Sequence, residues 1–187
     1  PRSEQRQSKI SFDVGPSTAS QSPSVKSVGI TSQITGSRAD LIVADDIEVL
    51  NNSGTQQMRD KLAETIKEFD AVLKPLPTSR VVFLGTPQTE DSLYAKLPER
   101  GYECRIWPAR MPKEEEIDKY GESLAPFIKG LDLAPSAPTD PLRFQEEDLL
   151  EREASYGKAG FAMQFMLSTQ LSDMERFPLK VRDLIIM

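Results

Sequence analysis

Two adjacent carboxylates, Asp45 and Asp46, follow directly on the apolar run Leu41, Ile42, Val43 and Ala44, and Glu48 stands close behind. Acids delivered by a buried strand to the edge of a sheet can hold a cation and put it to use. In a nucleoside-triphosphatase the first carboxylate binds magnesium, directly or through its waters, and the next polarises the water that attacks the γ-phosphate. A hydrophobic strand ending in Asp-Asp is the Walker-B pattern. Many α/β proteins also end a strand in an acid that caps a turn, so the pair is read with its surroundings.

Those surroundings add a second polar turn. The run "RVVFLGT" is again apolar and leads into Gly85, Thr86 and Gln88 of "FLGTPQTEDSLY". In an open parallel sheet ligands gather at the carboxyl ends of the strands, so neighbouring strands would bring this turn to the same edge as the carboxylates. Gly85, Thr86 and Gln88 are then candidate nucleotide-binding residues, able to sense a γ-phosphate or its attacking water. The plainer reading is a glycine-permitted turn in which Thr86 or Thr89 caps a short helix starting near Glu90.

The elements that must position these groups follow from periodicity. "SVKSVGITS", "ADLIVAD" and "RVVFLGT" read as three short buried strands, and together they predict a parallel sheet. Between the last two lies "TQQMRDKLAETIKEFDAVLKP", where Met58, Leu62, Ile66, Phe69 and Leu73 recur at helical spacing. Ser53 or Thr55 can cap its start and Pro75 stops it, which makes a βαβ unit. "YECRIWP" reads as a fourth strand, "MPKEEEIDKYGESLAPFI" as a charged helix or loop, and "DLAPSAPTDP" as a break. After it, "EEDLLEREASYG" and "KAGFAMQFMLS" read as two helices parted at Gly157, the second buried.

Composition narrows the chemistry. The 187 residues are 38% hydrophobic and 28% charged, with no apolar stretch of bilayer-crossing length. One cysteine and no histidine leave no internal disulfide, no zinc site and no Ser-His-Asp triad. A net charge of −6 argues against a general nucleic-acid coat. The segment before Ala39 carries five Lys/Arg against two acids and is the best DNA-contacting candidate on charge. The chain opens on Pro1 and closes on "LIIM", which reads as part of something longer.

Three stretches, "SVKSVGITSQITGSRADLIVADDIEVLNNSGTQ", "LKPLPTSRVVFLGTPQTEDSLY" and "YGKAGFAMQFMLSTQLSDMERFPLK", resemble the ATPase half of the large terminase subunit of tailed bacteriophages, closest to the type in short-tailed phages. The resemblance implies an α/β fold of the P-loop NTPase (ASCE) type, a mostly parallel sheet flanked by helices. It implies that 1–134 form the C-terminal part of the ATPase domain and 135–187 a helical linker towards a nuclease domain. By the same resemblance Asp45 is the magnesium ligand, Asp46 the catalytic carboxylate, and Gly85-Thr86-Pro87-Gln88 the motif coupling hydrolysis to movement. Many of these proteins carry Glu where Asp46 stands, so Glu48 is a second candidate for activating the water. No G-x-x-x-x-G-K-[ST] occurs in the 187 residues, and the family places that loop upstream.

The function implied is an ATP- and Mg²⁺-dependent motor that drives double-stranded DNA into a procapsid and, in the full protein, cuts it. Its implied partners are the portal protein, the small terminase subunit and further copies in a ring. Its implied place is the host cytoplasm, transiently at the portal vertex, with no membrane. The alternative is a non-enzymatic scaffold or docking module of the packaging machine. Arg38 is read as a surface arginine before an arginine finger, Trp107 as packing before a stacking platform, and Cys104 as buried and inert.

Overall fold

The computed structural model describes residues 8–17, 22–32, 34 and 36–170. They form two compact units. One is drawn from the residues up to Ile47 together with Asp60–Leu84, the other from Glu48–Arg59 together with the residues from Gly85 onward.

In the first unit, β1 (Ser11–Phe12) and β2 (Val25–Lys26) pair antiparallel, while β3 (Leu41–Asp45) and β4 (Arg80–Leu84) pair parallel from Leu41 opposite Arg80 to Asp45 opposite Leu84. The expected parallel sheet of three strands is therefore corrected to two separate pairs. Val25 and Val28 stand 44% and 45% exposed among serines and a glycine, too little apolar surface to stack "SVKSVGITS" into a core. Within β3 the pleat is one-sided: Ala44 is buried, whereas Leu41 and Val43 remain exposed. The strand is thus half-buried, not buried on both faces as "ADLIVAD" suggested.

Helix α2 (Gln56–Val72) joins the parallel strands as the βαβ reading requires. Thr55 Oγ1 accepts from the Met58 N–H at its start, so of the two proposed caps it is Thr55 that serves. Leu62, Ile66, Phe69 and Val72 are buried, and Phe69 stacks on Phe83 of β4 with ring centroids 5.9 Å apart. Met58 is 43% exposed and Val72 takes the place expected of Leu73, because a stripe of 3.6-residue period drifts off a strict four-residue spacing. The helix ends where the Ala39 N–H donates to Val72 O and the Lys74 N–H donates to Ala39 O, tying it to the entry of β3. Arg38 donates from Nη1 to Ala71 O, so it caps the negative end of α2.

The second unit begins with α1 (Leu50–Ser53), continues past β4 with α3 (Leu93–Lys96), α4 (Glu114–Tyr120) and α5 (Pro126–Lys129), and ends in α6 (Glu146–Gln164). α4 and α6 open with acids in the first turn, and Glu116 and Asp148 each accept the backbone N–H of the residue before the helix. Gly157, at φ 68° and ψ 170°, breaks α6 into the two segments foreseen there. Leu124, Ala125 and Ile128 form a core against Met111, Ile117, Tyr120 and Leu131. Burial pushes the Tyr120 phenol up to about 12, with the Glu116 carboxylate adding to it, while its hydroxyl donates to Met166 O.

"YECRIWP" is not a fourth strand. It pairs through a single bridge, Ile106 with Leu124, because Pro108 has no N–H to donate at the next step of the ladder and Pro126 starts a helix on the other side. Trp107 is 62% exposed and Cys104 half-buried, so neither is the core residue that a central strand would have made it. Among the described residues no helix is long and apolar enough to cross a membrane. The final "PLKVRDLIIM" lies outside the described residues.

Candidate functional site

β3 ends by presenting Asp45 and Asp46, both exposed, at the carboxyl end of the parallel pair. The Asp46 N–H still donates to Leu84 O at 2.9 Å, so the ladder reaches one residue past the strand. There the backbone turns: Asp46 sits at φ 46°, in the left-handed region that few side chains other than Asn and Asp adopt readily. A non-glycine residue held there costs of order 1 kcal/mol or more, and such residues cluster at functional sites. Neither carboxylate is hydrogen-bonded or ion-paired to another side chain among the described residues.

The donor set suits magnesium. That ion takes one or two protein carboxylates and fills its remaining positions with water and phosphate oxygens, whereas an all-protein cage needs more ligands. Asp45 and Asp46 match the first mode, and no group of three or more His, Cys, Asp or Glu among the described residues offers the second.

Glu48 is in the second unit and is 2% exposed. Its Oε1 accepts from the Gln88 N–H at 3.0 Å and its Oε2 from the Leu93 N–H at 2.6 Å. Leu93 opens α3, where Ser92 Oγ also accepts from the Tyr94 N–H, so two of the orphan donors of that first turn are satisfied by side chains. Neither Thr86 nor Thr89 is the cap.

Gln88 is buried, and its side-chain amide donates back to Thr86 O within the same loop. Thr86 is half-buried and Gly85 exposed. A Cβ on Gly85 would stand 2.0 Å from Tyr94 Oη and 2.4 Å from Cζ, so the Tyr94 ring must shift before any side chain fits there. We predict that Gly85→Ala costs about 1–3 kcal/mol in urea unfolding as the ring is displaced. In a Tyr94→Ala background the same change should cost less than half of that, and equal costs would show that the ring is not the obstacle.

Sequence reasoning missed the Glu48 clamp and the Gly85–Tyr94 approach. Both join residues far apart in the chain or across a loop, where no periodicity reports on them. Elsewhere in the second unit, Arg110 donates to Glu146 Oε2 at 2.7 Å and to Ser136 O at 2.9 Å, and the guanidinium holds the Glu146 carboxyl below its usual range.

No family model matches the chain. It is 58% identical over 189 aligned residues to the large terminase subunit of Enterobacteria phage T3. The match covers 97% of this chain and 32% of that relative, so the chain spans about a third of its length.

Proposed function

We propose that this chain, which aligns over 97% of its length at 58% identity with about a third of a phage large terminase subunit, belongs to that family and carries the hydrolytic end of a DNA-packaging ATPase. The observation that carries this reading is the exit of β3. An exposed Asp-Asp pair stands at the carboxyl end of a parallel strand pair, and the second acid turns the chain in a left-handed conformation.

In this reading the fold is of the P-loop NTPase type, with 1–134 the C-terminal part of the ATPase domain and 135–187 a helical linker. Asp45 holds the magnesium ion of Mg-ATP, and Asp46 orients a water and accepts its proton. The bound cation supplies charge neutralisation on the phosphate oxygens. Gly85, Thr86 and Gln88 form the loop that answers to the nucleotide. Double-stranded DNA, the portal protein, the small terminase subunit and further copies of the chain are the partners of such a motor. It works in the host cytoplasm at the procapsid portal, and the full protein also cuts DNA.

The direct test is a magnesium titration of ATP hydrolysis by the full-length protein. Asp45→Asn should raise the half-saturating magnesium concentration about 10- to 100-fold. An unchanged titration would remove Asp45 from the metal site.

A further inference from the structure

We propose that Glu48 is a positioning residue for hydrolysis: its buried carboxylate clamps Gln88 and Leu93 to the chain two residues after Asp46. The inference rests on the ATPase reading above and assigns Glu48 a task other than activating water.

Four observations carry it. Glu48 is 2% exposed, so its carboxylate does not reach solvent as a water-activating group at an open strand end would. Each of its oxygens receives a backbone N–H, one from Gln88 and one from Leu93, at 3.0 and 2.6 Å. Charge-assisted bonds from backbone N–H groups to a buried carboxylate are among the stronger ones available, and a segment held at two points by one side chain has few ways to shift alone. The two donors bracket Gln88–Leu93, lying 40 and 45 residues from Glu48 in the chain. Glu48 itself follows Asp46 after one intervening residue, the buried Ile47.

The consequence is mechanical. The loop cannot change its backbone at Gln88 or Leu93 without pulling on Glu48, and Glu48 is covalently joined to the turn at Asp46. Just before the clamped segment, the Gln88 side chain donates to Thr86 O, so the turn after Gly85 is tied to the first clamped residue. A group misplaced by about 1 Å can cost a hundredfold in rate, which is the scale on which such a clamp acts.

The experiment uses the full-length protein with three variants and two readouts. Glu48→Gln keeps one acceptor oxygen, Glu48→Ala keeps none, and Asp46→Asn is the control for the hydrolytic reading. For a positioning residue kcat for ATP should fall by about 3- to 10-fold in Glu48→Gln and about 10- to 100-fold in Glu48→Ala, with KM within about threefold of wild type in both. Hydrogen exchange at the Gln88 and Leu93 amides should quicken in the same order.

Equal and near-complete loss of kcat in both Glu48 variants would identify a base and overturn the proposal. Wild-type kcat in Glu48→Ala with the two amides deprotected would overturn it too, since the loop would then be free without consequence. If Glu48→Ala does not fold, the wild-type exchange pattern still decides: Leu93 and Gln88 amides exchanging as fast as exposed loop amides would show that the clamp does not exist. Unchanged turnover in Asp46→Asn would instead sink the hydrolytic reading, and leave the clamp to be judged on exchange alone.

Discussion

Replacing Asp46 by asparagine in the full-length protein is expected to lower kcat for ATP hydrolysis by about 10²- to 10⁴-fold while leaving KM for ATP nearly unchanged. Asparagine is the informative substitution because of the backbone. Asp46 stands at φ 46°, a conformation that Asn adopts as readily as Asp, so the turn after β3 and its bond to Leu84 O survive while the charge is lost. Alanine would confound the two, since it carries no side chain to stabilise the left-handed turn. Steady-state hydrolysis at saturating magnesium is the measurement. A variant that turns over at the wild-type rate would take Asp46 out of the chemistry.

The largest stability effect is expected at Ile66. It is 1% exposed on the inner face of α2, between Leu62 and Phe69 in the same stripe, and truncation to alanine leaves a cavity in a unit whose core has few other large side chains. Ile66→Ala should cost about 2–5 kcal/mol, and Ile66→Val about 0.5–1.5 kcal/mol. Alanine is the better helix former, so the loss measures packing and not propensity. Met58→Ala, on the same helix but 43% exposed, should change stability by less than about 0.5 kcal/mol. Urea midpoints of the three variants check the series. A Met58 effect equal to that of Ile66 would mean that the helix buries the face expected from spacing alone.

These two residues show how far the chain could be read before it was seen folded. The βαβ unit, the parallel pairing of "LIVAD" with "RVVFL", the Thr55 cap and the break at Gly157 were legible because each is a local signal: an apolar run, a helical period, a capping hydroxyl, a glycine. The Asp45–Asp46 pair was legible for the same reason, since a strand's direction and its last residues fix which side chains arrive at its carboxyl end. "SVKSVGITS" supplies β2, but it pairs antiparallel with β1 and does not extend the parallel pair, and "YECRIWP" makes a single bridge. Pairing is decided by a partner elsewhere in the chain, and Pro108 lacks the N–H that the next step of the ladder would have used.

What sequence determined by itself is therefore the βαβ unit and which carboxylates stand at the end of β3. Tertiary structure decided the rest: that Glu48 is buried under two backbone N–H groups, that the Tyr94 ring lies where a side chain at Gly85 would stand, and that Arg38 serves a helix end. Each depends on residues that meet only after the chain has folded back. A carboxylate's neighbours are then set by loop closure, and no spacing along the chain records them.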